Sequence, residues 1–378
     1  MTVAAISTHP NPAVAVGEVI GELLEGLVAP ATLVVVFATE HHRSAMGRIG
    51  AAIRELLHPG AVIGAAAAGV LANGYGVKGG PGLAVWATTT RLPALPFRLR
   101  AESSGDTVHF SGFDPALLDG RTTMLLLADP FTFPLDDFLG GLHGMRPDLT
   151  VTGGLVSAAR APGDNRLMIG DRVVNDGAVG VLLDPPDAPV TVVSQGCRPI
   201  GAPFTVTAAS GTMLRELAGK PALQRVQEVL RSLDDTDREL AAAGLQLGIV
   251  TDQRRLDFSR GDFLIRGVLG ADRETGALAV GDQVELGDVV QLQVRDPATA
   301  GDDLRLLLMG HEASGALVFT CNGRGASMFG DAHHDADIVH EHLGRSASAG
   351  MFCAGEIGPV GGRNAVHAFT ASVALFTG

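Results

Sequence analysis

Three stretches of this chain run through one order of elements: an apolar strand, a helix, a second strand, a glycine-rich turn and a closing strand. The first begins at Leu33-Val34-Val35-Val36-Phe37 and continues through a helix carrying Ile49, Ile53 and Leu57. It then reaches Val62-Ile63-Gly64, Ala68-Gly69-Val70 and finally Gly82-Leu83-Ala84-Val85-Trp86. The second has Met124-Leu125-Leu126-Leu127, a turn at Asp129-Pro130, a helix over Leu135 to Leu142, Val151-Thr152-Gly153-Gly154-Leu155 and Gly177-Ala178-Val179-Gly180-Val181. The third has Gly315-Ala316-Leu317-Val318-Phe319, a turn over Cys321 to Gly325, a helix over Ile338 to Leu343, Ala349-Gly350-Met351-Phe352 entering Gly355-Glu356-Ile357-Gly358, and Ser372-Val373-Ala374-Leu375-Phe376. Copies of one supersecondary unit hide their apolar faces against each other, so the repeat decides the fold class ahead of any single residue. Unbroken apolar first strands predict burial on both faces. The expectation is a mixed α/β (α+β) fold with mixed sheets covered by helices, and with the turns at Gly69, Gly153-Gly154 and Gly355 in related positions.

Between the copies, Leu214 to Leu233 carries Leu217, Leu223, Val226, Val229 and Leu230 at helical spacing. Phe263 to Val294 alternates apolar runs with Gly270, Gly276, Gly281 and Gly287, which predicts antiparallel hairpins. A length of 378 residues suits two domains. The polar run Asp234-Asp235-Thr236-Asp237 is the expected boundary. It divides the chain into a lead-in over 1–27, an N-terminal domain over 28–234 and a C-terminal domain over 235–378.

Composition excludes several classes. Hydrophobic residues at 46% and charged residues at 18% fill a core and argue against disorder. A net charge of −13 without a dense Lys/Arg cluster disfavours nucleic acid and anionic membrane surfaces as partners. The longest small-apolar stretch, Ala61 to Ala72, is far shorter than a membrane span needs. Met1 to Pro12 lacks the basic and apolar regions of a secretory signal. Cys197, Cys321 and Cys353 form neither a disulfide framework nor a zinc-type pair, so free thiols in the cytoplasm are expected. No Gly-x-x-x-x-Gly-Lys-Ser/Thr motif follows a strand, and no cofactor is called for.

The most specific residues lie in the third copy. Cys321-Asn322-Gly323-Arg324-Gly325, then Phe329-Gly330, His334 and Gly355-Glu356-Ile357-Gly358-Pro359-Val360-Gly361-Gly362, resemble the signature of the FIST C-terminal domain. Val36-Phe37-Ala38 with His41-His42, Ile63-Gly64, Ala68-Gly69-Val70 and Pro81-Gly82-Leu83 resemble the FIST N-terminal domain. Asp129-Pro130-Phe131, Gly153-Gly154-Leu155 and Ser194-Gln195-Gly196-Cys197-Arg198-Pro199-Ile200-Gly201 agree with that pattern. The resemblance implies a sensory role coupled to a signalling partner, with an amino acid or other small molecule as ligand. Two departures stand out: Tyr75-Gly76-Val77-Lys78 where acidic residues are expected, and Ala65 where a cysteine is common.

The candidate ligand site is where Cys321 to Gly325 meets Gly355 to Gly358. It comprises Cys321, Asn322, Arg324, Gly325, Phe329, His334, Phe352, Glu356 and Gly358, with Arg198 as a second cation. Glycines beside Arg324 let backbone donors approach a ligand while the guanidinium grips a carboxylate. The alternative is an Arg that ties two turns together. Glu356 either presents a carboxylate to a ligand ammonium or serves as a structural acceptor. Cys321 is either a nucleophile beside Arg324 or His334, or a packed small hydrophobe. His333, His334, Asp335 and His340 match no standard metal motif and read as a solvated helix start. Cys197-Arg198-Pro199 also reads as a Pro-stiffened turn. The favoured function is a cytoplasmic small-molecule sensor that is not an enzyme, with a homo-oligomer allowed. A thiol-dependent enzyme using Cys321 and an interaction scaffold are the alternatives.

Overall fold

The computed structural model describes the whole chain apart from residues 91–93, 106, 185–187, 256, 259, 345 and 378. The described residues divide into two units. One comprises 1–193, 304–366 and 370–378, and the other comprises 194–303 and 367–369.

The larger unit is built from the three copies. In the first, Leu33–Thr39 runs parallel to Ala61–Ala67 and antiparallel to the closing strand Leu83–Thr88. In the second, Thr123–Ala128 runs parallel to Thr150–Leu155 and antiparallel to Ala178–Leu183. In the third, Gly315–Cys321 runs parallel to Ala347–Cys353 and antiparallel to Thr370–Phe376. The same three strands therefore recur in the same order with the same senses. The fold is mixed α/β, as the repeat requires. A lead strand precedes each copy and pairs with its closing strand: Thr2–Ser7, Leu95–Ser104 and Val190–Gln195.

The glycine-rich segment of each copy is more than a turn. It is a two-stranded hairpin that leaves its own sheet. Gly69–Ala72 and Tyr75–Lys78, from the first copy, add to Ala347–Cys353 of the third. Gly355–Val360 and Arg363–His367, from the third, extend the sheet of the second at Thr150–Leu155. Leu167–Ile169 and Arg172–Val174, from the second, add to Ala61–Ala67 of the first. The exchange closes as a ring of three.

Strand–helix–strand connections place the helices outside each sheet. Pro12–Gly26, with Pro12 at its first turn and Asn11 capping Ala13 N, buries Ala15, Val19, Ile20 and Leu23. Met46–Leu57 presents Met46, Ile49, Ile53 and Leu57 to the same layer. Leu135–Met145 covers the second sheet, while Pro297–Leu308 (through Leu304 and Leu308) and His334–His342 cover the third. The other faces meet in one shared core, where Val35, Phe37, Leu125, Leu127, Leu317, Phe319 and Met351 pack together. This explains first strands buried along their full length.

Gly69 and Gly355 occupy equivalent positions, each opening the exchanged hairpin two residues after the parallel strand ends. Gly153-Gly154 does not: both lie inside Thr150–Leu155. The pairing register instead makes Gly153 the counterpart of Gly64 and Gly350, the fourth residue of each second strand. A β-carbon there would stand 2.5 Å from Val36 O at Gly64, 1.9 Å from Leu126 O at Gly153 and 1.8 Å from Val318 O at Gly350. Each parallel pair is thus too close for any side chain at that position.

The smaller unit is an antiparallel barrel. Val289–Arg295 pairs on one edge with Cys197–Pro199 and Phe204–Ser210, and on the other with Leu245–Val250. Met213–Leu217, Leu278–Val280 and Phe263–Ala271 complete the ring, as the glycine spacing over 263–294 predicts. The helix expected over 214–233 is shorter. Met213–Leu217 is a strand, Ala218 and Gly219 turn at positive φ, and the helix is Ala222–Ser232. Asp234 caps the next helix, Asp235–Ala242, through Asp237 N.

The close approach in the parallel pairs is testable. Gly350→Ala is expected to destabilise the protein by about 2 kcal/mol or more, because backbone must shift to admit the methyl group. Gly140→Ala, on an exposed helix position with open space, is expected to be neutral or stabilising by up to about 1 kcal/mol. Chemical denaturation of both variants distinguishes them; equal effects contradict the packing argument.

Candidate functional site

In the third sheet the carboxyl ends of Gly315–Cys321 and Ala347–Cys353 lie side by side, with Cys321 opposite Cys353. Crevices beyond the carboxyl ends of parallel strands are common ligand positions in α/β proteins. Asn322 N donates to Cys353 O at 2.8 Å, which fastens the first turn to the neighbouring strand. Gly325 has φ +63°, and a β-carbon there would stand 2.9 Å from the Phe352 ring. Only glycine lets the chain turn against that ring and send Arg324 inward.

Arg324 is wholly buried and held from within the protein. Its Nε donates to Asp335 Oδ2 and its Nη2 to Asp335 Oδ1, both at 2.8 Å. Thr320 Oγ1 donates to Asp335 Oδ2 at 2.5 Å, and His334 Nδ1 lies 3.0 Å from Oδ1. The guanidinium sits 5.1 Å from the Phe329 ring centroid, and Phe329 stacks on His334 at 3.5 Å. Burial alone raises a carboxyl pKa, but the Arg324 charge and these hydrogen bonds reverse that and hold Asp335 well below the usual range. Burial likewise opposes the Arg324 charge, and Asp335 more than restores it.

Glu356 is the second buried acid, in a different setting. Its Oε2 accepts from Thr370 N at 3.2 Å and Thr370 Oγ1 at 2.7 Å. Its buried Oε1 has no nitrogen or oxygen partner among the described residues. Burial pushes this carboxyl up to about 8. The Thr370 bonds, the Arg324 charge and the Cys321 thiol offset only part of the rise. Burial also pushes the Cys353 thiol well up, and Glu356 and Cys321 add to the effect. The two acids are therefore shifted in opposite directions from the usual carboxylate range.

The exchanged hairpin of the first copy brings Lys78 here. Its Nζ donates to Asn322 O at 2.5 Å and stands 5.4 Å from the Phe352 centroid. Partial burial lowers its pKa, opposed by Cys321. On the same hairpin Tyr75 stacks on His333, whose Nδ1 accepts from Gly76 N at 2.8 Å.

Cys321, Asn322, Arg324, Gly325, Phe329, His334, Phe352 and Glu356 thus share one neighbourhood. Gly358 serves packing, since a β-carbon there would stand 2.4 Å from Val193 Cγ2 and 3.0 Å from Ser372 Oγ. Arg198 belongs to the barrel unit, where its guanidinium bonds Asp237 and, at 2.6 Å, Asp296. Lys78, Thr320, Thr370 and the Asp335 partnership were not signalled by any local pattern, because each comes from a different strand or helix. Among the described residues no group of three or more His, Cys, Asp or Glu is placed to hold a metal ion.

The FIST N domain matches residues 32–220 and the FIST C domain residues 222–359. The chain belongs to the FIST family. Uncharacterized protein Rv0628c of Mycobacterium tuberculosis strain H37Rv is 42% identical over 98% of both chains. Uncharacterized protein Mb0898c of Mycobacterium bovis is 41% identical, covering 98% of this chain and 97% of its own. FIST domains are associated with sensory signal transduction. No helix among the described residues is long and apolar enough to cross a membrane.

Two measurements check these electrostatics. Arg324→Ala leaves Asp335 buried without its cation and is expected to cost about 3–5 kcal/mol of stability, whereas the paired change Arg324→Leu with Asp335→Leu costs less. Equal losses contradict the pairing. Glu356 has a folded pKa above its unfolded value, so its contribution is fully present below about pH 4.5 and lost as pH rises through about 8. The stability difference between the native protein and Glu356→Gln is expected to shift against the native protein by about 1.4 kcal/mol per pH unit across that window. A flat difference places Glu356 ionised in the fold.

Proposed function

We propose that this protein is a cytoplasmic sensor that binds a small carboxylate, amino acids included, and passes the binding signal to a partner protein. The site is the carboxyl end of Gly315–Cys321 and Ala347–Cys353. The observation that carries the reading is Lys78. An exposed lysine from another repeat is held over the glycine turn, where Arg324 neutralises Asp335 and burial pushes the Glu356 carboxyl up to about 8. The charge balance at the site is therefore positive and suits an anion. Cation and turn backbone together supply the few convergent polar groups that a small-ligand site needs. Arg324 acts by fixing the turn rather than by touching the ligand, since Asp335 engages two of its nitrogens. Three buried thiols without a disulfide suit a reducing compartment.

Thermal-shift screening of small carboxylates tests the reading, because a ligand that binds only the folded protein raises its melting temperature. At least one carboxylate is expected to stabilise the protein, and Lys78→Gln to weaken its binding about tenfold while leaving the unliganded melting temperature nearly unchanged. A stabilising carboxylate that binds Lys78→Gln equally well places the ligand elsewhere.

A further inference from the structure

We propose that a cleft in the larger unit, built from none of the residues of the strand-end site, binds a phosphate group, carried free or on a small organic molecule. The cleft has a volume of about 420 Å³. Its polar lining includes Arg54, Arg98, Asp171 and Arg172, and Ile169 and Val174 contribute an apolar wall. The three arginines arrive on three elements. Arg54 lies in the last turn of Met46–Leu57, Arg98 on the lead strand Leu95–Ser104 and Arg172 on the exchanged hairpin of the second copy. The hairpin turn is fitted to this approach. Gly170 has φ +61°, its N donates to Val62 O at 2.8 Å, and a β-carbon there would stand 3.2 Å from Arg54 Nη1. A side chain at that position would be strained and would crowd the guanidinium.

These cations have donors to spare. Among the described residues Arg54 and Arg172 make no hydrogen bond or ion pair. Arg98 gives Nη2 to Asp176, while its buried Nε has no partner among the described residues. Buried donors are nearly always satisfied, so an orphan beside two unpaired guanidiniums marks a place for an acceptor that the described residues do not supply. Asp171 also lines the cleft, but it is exposed and pairs with none of the three arginines. Geometry decides which acceptor fits. A carboxylate has two oxygens in one plane and is filled by one guanidinium fork, as Asp335 is by Arg324. A phosphate directs its oxygens tetrahedrally and takes forks from several sides, which suits cations arriving on a helix, a strand and a hairpin. A phosphate bound there ties the hairpin of the second copy to the helix of the first.

The test is calorimetry on the full chain with inorganic phosphate, glycerol 3-phosphate and AMP, each compared with chloride at equal ionic strength. At least one of them is expected to bind. Arg54→Gln and Arg172→Gln are each expected to weaken that binding about tenfold or more, while the melting temperature of the unliganded protein stays nearly unchanged. Asp171→Asn is expected to tighten it severalfold, a gain that damage to the fold does not produce. Inorganic phosphate binding as tightly as the esters assigns the cleft to the free ion, and tighter binding of an ester assigns it to a phosphorylated small molecule. Failure of all three to bind the folded protein overturns the proposal. So does binding that is unchanged in both arginine variants, and binding that is lost in Lys78→Gln instead puts the anion at the strand ends.

Discussion

Each sheet of the larger unit is finished by a hairpin from another repeat, and this exchange organises that unit. A parallel strand such as Ala61–Ala67 presents an unpaired edge once its crossover helix has packed, and an open edge is both an unsatisfied row of donors and acceptors and an invitation to aggregation. The second repeat supplies the missing partner through Leu167–Ile169. The same holds twice more around the ring. Ser157 sits at a junction of the three, accepting from Ala68 N of the first repeat and donating to Phe352 O of the third at 2.5 Å. No repeat can complete its sheet alone, so the three copies fold as one body with a shared interior.

The candidate site is a product of that exchange. Strand ends at Cys321 and Cys353 come from the third repeat, whereas Lys78 arrives on the hairpin of the first. Two buried acids then acquire opposite characters from their neighbours. Asp335 has a bidentate guanidinium that holds it well below the usual carboxylate range; Glu356 has the two Thr370 donors and the Cys321 thiol, and burial pushes it up to about 8. Burial is common to both, so the difference lies in where the Arg324 guanidinium points. The result is a local positive balance in a chain whose overall charge is −13.

Much of the scaffold was legible in the sequence. Apolar runs, helical spacings and the barrel's glycine rhythm are local patterns, and they carried the mixed α/β repeat and the antiparallel segment. The exchange was not legible, because Gly69–Ala72 pairs with Ala349, Gly350 and Met351, far along the chain, and no local period encodes a partner. Gly153-Gly154 misled for a related reason. A glycine pair reads as a turn, but here Gly153 answers a carbonyl from the adjacent strand. At the site, the residue types around Cys321 to Gly325 and Gly355 to Glu356 were identifiable, whereas the destination of Arg324 was not. A guanidinium among glycines suits a ligand and an internal carboxylate equally well until Asp335 is seen beside it.

The account places a carboxylate at Lys78, at the ends of two parallel strands. A crystal structure of the protein soaked with a carboxylate that raises its melting temperature tests this most directly. The predicted result is a carboxylate oxygen within about 2.7–3.2 Å of Lys78 Nζ. A ligand bound at any other position, or bound here with its carboxylate turned away from Lys78, contradicts the account.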